Sequence, residues 1–348
     1  MGVDSIYNLP ADLLGCGYLS GPLRGGPAKD MDLFGYTIVP GTRQNLQWVC
    51  PVEDGKAGAV IMVHVVNGSN PGPTLCLTAA IHGDELNGIA IIRRIIDALD
   101  PETLNGVVIG IPVINLEGFK HHDRYMADHI DLNRCFPGNI DGNYPERLAS
   151  GIFTDIIAHC DAVIDLHTGS TLRENMVQLR ADLSNDDVAH LSAGFGDVNV
   201  LQSAALVGTL RRAATDAGIA AIVMEIGGSH GVENDKVLIG EQGVISLLRS
   251  AGMVGEEGYV PIDQHVFLGG GSVHAEVGGI LVNRVELGAV AQEGELLAEI
   301  IDPFSSEVCR VLAPFTCMVL GRAHSQQVEP GFALFRLAME QSETKAEV

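Results

Sequence analysis

A chain of 348 residues with 46% hydrophobic and 19% charged side chains has the length of two domains and enough apolar residues for a large core, which excludes a disordered chain. Its formal charge of −23 argues against nucleic acid or an anionic membrane as partner, because both would repel it. The seven cysteines, at 16, 50, 76, 135, 160, 309 and 317, form no CxxC pair, so neither a disulfide framework nor a cysteine-based zinc module is expected.

The first residues lack the cationic start and apolar stretch of a signal peptide. No apolar run approaches the ~20 residues that span a bilayer. A soluble, cytoplasmic protein is therefore expected. Residues 1–35 are rich in glycine and proline and read as an extended leader. Residues 35–49 and 58–66 read as strands, followed by a strong loop signal at Asn67-Gly-Ser-Asn-Pro-Gly-Pro73. The apolar run 75–81 is too short for a helix and lies between Pro73 and Gly83, which predicts a buried strand. Apolar residues at 86, 89, 92, 95, 96 and 99 then predict a helix over 86–99. His82 and Glu85 fall on the corner between the two.

A further strand is predicted at 106–114. Residues 116–144 are polar and aperiodic, and a loop of that length in a compact domain is usually functional. A helix over 146–160, a strand over 161–166 ending at His167, helical stretches within 186–218, a short strand over 220–224 ending at Glu225 and a helix over 234–250 follow. Strands alternating with helices predict an α/β domain over 36–258, with a mainly parallel or mixed sheet and helices on both faces. Beyond residue 259 glycines recur, strands are short, and residues 277–300 are loosely echoed by 312–337. That pattern predicts a small β-sandwich or barrel over 259–338, with a polar tail at 339–348.

Three predicted strands end on a polar residue with a glycine one or two positions on: Ile81 on His82, Leu166 on His167 and Met224 on Glu225. Each alone is a solvated strand end. Together, with Glu85, they converge on one crevice at the carboxyl edge of a parallel sheet, where such sheets collect ligands. His82, Glu85 and His167 make a two-imidazole, one-carboxylate set of the kind that holds zinc with a position open for water. Glu225 is then a free carboxylate able to take a proton from that water.

His82-Gly-Asp-Glu85-Leu-Asn-Gly, Asp131-Leu-Asn-Arg134-Cys-Phe-Pro-Gly138, Asp165-Leu-His167-Thr-Gly and Glu225-Ile-Gly-Gly resemble, in that order, the motifs of the succinylglutamate desuccinylase/aspartoacylase family. The family is a branch of the zinc carboxypeptidase-like hydrolases, and the likeness covers about residues 36–250. The resemblance implies cleavage of the amide of a small N-acyl amino acid, with one zinc ion per subunit held by His82, Glu85 and His167 and with Glu225 as general base. It further implies that Asp131 orients a ligand imidazole, that Arg124 polarises the scissile carbonyl, and that Asn133 and Arg134 grip a substrate carboxylate. Some members carry another substrate arginine about ten residues before the catalytic glutamate. Here Thr215-Asp216 occupies that place, with Arg211 and Arg212 nearby. A peptide-cleaving carboxypeptidase and a non-catalytic metal-binding protein are the competing readings. The C-terminal segment resembles a lipoyl-type β-sandwich, but no lysine lies between Lys236 and Lys345 to carry a cofactor. Its expected role is a cap over the cleft or a subunit contact, the latter implying a homo-oligomer.

Overall fold

The computed structural model of the protein describes residues 23, 25–50, 58–229, 231–255 and 264–339. Most of the predicted leader and the tail beyond 339 lie outside these residues. Among the described residues the chain runs β1 (Met31–Leu33), β2 (Tyr36–Ile38), β3 (Thr42–Val49), β4 (Val60–Asn67), β5 (Asn70–Ala79), α1 (Asn87–Ala98), β6 (Asn105–Ile111), α2 (Leu116–His121), α3 (Tyr144–Asp155), β7 (Ala162–His167), β8 (Arg173–Ala181), α4 (Asp186–Ala193), β9 (Asn199–Gln202), α5 (Leu210–Asp216), β10 (Ala220–Gly228) and α6 (Asn234–Ser250). Nine short strands follow: β11 (Val266–Phe267), β12 (Gly270–His274), β13 (Gly279–Asn283), β14 (Val290–Ala291), β15 (Leu296–Ile301), β16 (Val308–Leu312), β17 (Cys317–Ala323), β18 (Gln327–Val328) and β19 (Ala333–Met339).

Strands β10, β7, β5 and β6 lie side by side and parallel. β4 and then β3 add antiparallel at one edge, and β8 adds antiparallel to β10 at the other. This is the expected α/β layering. The period-two alternation of a strand decides which residues face which layer. Leu75, Leu77 and Ala79 of β5, Ala162, Ile164 and Leu166 of β7, and Ala220, Ile222 and Met224 of β10 all pack with α1, α4 and α6. Their neighbours Cys76, Val163 and Ala221 face the opposite layer, where α3 and α5 pack. The same alternation puts Thr78, Asp165, His167 and Glu225 on the α3/α5 side, so the chemistry collects on one face.

Helix formation follows from the same residues. Ile91, Ile92, Ile95 and Ile96 of α1 are all buried on one stripe, each contributing about 1.5–3 kcal/mol by leaving water. α1 packs so closely on α6 that a Cβ at Gly240 would come within 2.5 Å of Ile91 Cδ1. α3 begins with a capping box in which Asn143 and Glu146 satisfy each other's backbone N–H groups, and Pro145 sits in its first turn. The predicted helix over 146–160 breaks after Asp155 and ends in a separate turn, Ile157–His159.

Two differences from expectation bear on the site. The aperiodic stretch after Ile114 contains a six-residue helix, α2, started by the Asn115 side chain accepting from the Gly118 N–H. The stretch 173–181, unassigned by periodicity, is a sheet strand. The C-terminal strands do form two layers: β13, β15, β16 and β18 make a four-stranded sheet over β12, β17 and β19, with Leu281, Leu297, Val319 and Leu337 in one shared core. The second layer is continuous with the main sheet, because β17 pairs with β8 from Gly321 to Ala323. No helix among the described residues is long and apolar enough to cross a membrane.

Candidate functional site

The corner after β5 carries His82 and Glu85. The Glu85 N–H donates to the His82 carbonyl at 3.2 Å, turning the chain before α1 begins. Gly83 is required there by close approach rather than by an unusual turn: a Cβ would lie 2.0 Å from the backbone carbon of Gly118 in α2. Gly227, two residues beyond Glu225, is the contrasting case, with φ +65 in the left-handed region.

His82, Glu85 and His167 are all buried, and one ligand atom from each lies within 4.8 Å of the others. The Nδ1 atoms of the two imidazoles are 3.2 Å apart. Glu85 Oε1 lies 2.8 Å from His82 Nδ1, and its Oε2 lies 3.0 Å from His167 Nδ1. The Thr168 N–H donates to Oε2 at 2.9 Å, which holds the carboxylate in place. The outer imidazole nitrogens face carboxylates: His167 Nε2 is 2.8 Å from Asp165 Oδ2, and His82 Nε2 is 3.3 Å from Asp131 Oδ1. Asp165 is itself fixed by the Thr78 hydroxyl at 2.7 Å. This donor set fits a small divalent cation. Two imidazoles and a carboxylate converge through one face, and each imidazole is oriented from behind by an acid.

The electrostatics agree with that fit. Burial alone would raise the Glu85 carboxyl, but the His82 and His167 imidazoles outweigh it and hold it well below the usual carboxylate range. Asp131 behaves alike, with burial overcome by His82, Arg124 and Arg134. Burial would lower His167, yet Asp165 and Glu85 raise it well above the usual imidazole value. A cation at this point would replace a proton that the acids already favour. Asp165→Asn should therefore weaken metal affinity by about 10- to 100-fold while the fold persists, as measured by competition with a chelating dye.

Glu225 stands opposite His167 in the register of β10 and β7. Its Oε2 accepts from Asn175 Nδ2 at 2.8 Å, and its Oε1 lies 3.1 Å from Arg180 Nη1. Asn175 and Arg180 both belong to β8, and sequence reasoning missed both. The available signal was the alternation of Val177, Leu179 and Ala181, obscured by a buried Gln178. Asp165 was visible in a motif but was given no task of its own.

The remaining expected residues arrive from the loop after α2. Arg124 reaches both Glu85 Oε1, at 3.2 Å, and Asp131 Oδ2, at 3.4 Å. Asn133 is buried, and its Oδ1 accepts from the Leu210 N–H at 2.9 Å at the start of α5. Arg134 is half exposed, with Nη2 3.9 Å from Asp131. Arg211 is 7% exposed and lines the cleft, whereas Arg212 lies on the surface, paired with Asp216 at 2.8 Å.

The cleft holds about 480 Å3. Seven arginines line it against two glutamates, Glu85 and Glu225, so a protein of net charge −23 presents a cationic interior to its ligand. Ser272, Leu334 and Phe335 show that the C-terminal strands form part of the wall.

Residues 71–251 match the succinylglutamate desuccinylase/aspartoacylase catalytic domain. The chain is 28% identical over 270 residues to the N-alpha-acetyl-L-2,4-diaminobutyric acid deacetylase of Halomonas elongata, covering 73% of this chain and 78% of that protein. Its fold resembles the succinylglutamate desuccinylase/aspartoacylase of Rhodobacter sphaeroides, with a TM-score of 0.76, 24% identity, and 86% of this chain matched to 96% of the other. The product-bound ectoine utilization protein of Ruegeria pomeroyi has a similar fold, with a TM-score of 0.76, 22% identity, and 92% of this chain matched to 98% of the other.

Proposed function

The chain belongs to the succinylglutamate desuccinylase/aspartoacylase family, and from that membership we propose that it is a zinc-dependent deacylase of small N-acyl amino acids. The observation that carries this reading is the buried His82–Glu85–His167 set with Glu225 beside it on the next strand and outside the set. Two imidazoles and one carboxylate suit zinc, one ion per subunit, which when bound polarises a carbonyl and makes water far more acidic.

The chain's own residues supply the rest. Glu225 takes a proton from the attacking water and returns it to the leaving amine, which needs a carboxylate near both and free of the metal. Arg124 donates to the acyl oxygen as negative charge develops there. Asn133 has its Oδ1 taken by Leu210, so its Nδ2 is the group left for a substrate carboxylate, and Arg134 adds a guanidinium. Asp131 and Asp165 hold the imidazoles in one orientation.

The C-terminal strands act as a cap, since Ser272, Leu334 and Phe335 close one side of a cleft of about 480 Å3. A cleft walled on that side favours a small N-acyl amino acid over a peptide, which would need an open groove. The acyl group belongs to the acetyl or succinyl class, and the Halomonas relative's N-acetylated diamino acid falls within it. A non-catalytic metal protein would have no use for Glu225. Assaying the zinc-loaded protein against N-acyl amino acids and unblocked dipeptides tests the reading. Release of free amine from the first group only is expected, and turnover of the dipeptides alone would overturn it.

A further inference from the structure

Glu225 is the last residue of β10 in register with β7, where it stands opposite His167. On its other side the pairing with β8 slips between Glu225 and Gly227. One ladder ends at the base and the other is interrupted there, as at the bulges that re-aim side chains beside active sites. The three residues that follow are fixed by other groups. Asn87 Nδ2 donates to the Ile226 carbonyl at 2.8 Å, the Gly169 N–H donates to the Gly227 carbonyl at 2.7 Å, and the Gly228 N–H donates to Glu233 Oε2 at 2.7 Å. Asn87 and Glu233 also hold each other. Asn87 Nδ2 donates to Glu233 Oε2 at 3.1 Å, and the Glu233 N–H donates to Asn87 Oδ1 at 2.8 Å.

The anchors lie beside the metal donors. Asn87 is two residues beyond Glu85, and Gly169 is two residues beyond His167, so the backbone behind the base is tied to two corners that carry the donor set. Asn87 is 0% exposed and spends both amide hydrogens and its oxygen on this network. The network is not helix capping: Leu86 and Glu233, the cap residues of α1 and α6, make no side-chain bond to the helices they start. It also demands glycine at 227, since a Cβ there would lie 2.1 Å from Glu233 Oε2.

We propose that Asn87 and Glu233 are positioning residues for Glu225, an inference that rests on the deacylase reading above. They clamp the backbone beyond the base, so that its carboxylate keeps one distance from the His82–Glu85–His167 point. Asn175 and Arg180 hold only the carboxylate end of Glu225, and the clamp fixes the main chain from which that side chain extends. Such placement matters to rate, because a shift of about 1 Å in a reacting group costs roughly 10^2-fold.

Glu233→Ala removes the acceptor shared by Gly228 and Asn87, whereas Glu233→Gln keeps an oxygen in its place. In the full-length, zinc-loaded protein, assayed on N-acetyl and N-succinyl amino acids, Glu233→Ala is expected to lower kcat about 10- to 100-fold. KM should stay within about two-fold and zinc at wild-type stoichiometry, and Glu233→Gln should recover most of kcat. Placed on Glu225→Gln, the alanine substitution should change the residual rate by less than about two-fold, because the base it positions is gone. A merely structural brace would lower both backgrounds alike. Asn87→Ala carries the same measurements where Glu233→Ala does not fold. Unchanged kcat in whichever of the two alanine variants folds, or an equal loss in both backgrounds, overturns the clamp. Hydrolysis of unblocked dipeptides alone by the wild type would remove the deacylase reading, and the same ratios measured on the dipeptides would still judge the clamp.

Discussion

Glu225→Gln is expected to keep metal at wild-type stoichiometry and to lower kcat by about 10^2- to 10^4-fold, the range general acid–base catalysis supplies. The side chain lies outside the His82–Glu85–His167 set, so its charge is not needed to hold a cation. An amide of the same shape retains the Asn175 hydrogen bond through its oxygen but offers an N–H to Arg180, where a carboxylate oxygen now stands at 3.1 Å. That mismatch costs about 1–3 kcal/mol of stability at most, because it leaves one half-buried donor without an acceptor. Loss of turnover would thus report the missing base. Elemental analysis beside a single-turnover assay checks both halves, and turnover at the wild-type rate would remove Glu225 from the mechanism.

The second large effect concerns the metal itself. His167→Ala should purify with far less than one equivalent of zinc, because it deletes one of three donors and the imidazole that bridges Asp165 and Glu85. The two acids would then face each other with no cation or imidazole between them, which costs further free energy in a buried site. A variant that remains folded by circular dichroism yet holds a full equivalent of metal would refute His167 as a ligand.

Much of this site was legible in the chain. His82, His167 and Glu225 each close an apolar run, and an apolar run between turn signals identifies a buried strand whatever its neighbours are. Glu85 sits where the period changes from strand to helix, which is itself a local signal. The order of the parallel strands was not local. That β7 lies between β5 and β10, bringing His82, His167 and Glu225 to one edge, depends on pairings across many residues of chain.

β8 was the main omission, and its consequence is chemical. Its side chains read as a mixed segment because both its faces are partly buried, one against the sheet core and the other against the cleft. Antiparallel pairing with β10 is what brings Asn175 and Arg180 to Glu225. Pairing of β17 with β8 likewise joins the C-terminal strands to the main sheet, and places Arg336 of the neighbouring β19 in the same cleft as Arg173.

What the amino-acid sequence determined by itself was the strand-to-helix corner at His82 and Glu85, most of the alternating strands and helices, though not β8 or α2, and the identity of the polar strand ends. Each follows from periodicity and turn chemistry within a dozen residues. Only the tertiary structure decided that these ends share one buried point, that Asp131 and Asp165 stand behind the imidazoles, and that Asn175 and Arg180 face Glu225. Those facts are distances between remote segments, set by sheet register and by the burial of both faces of the sheet, and no local pattern encodes them.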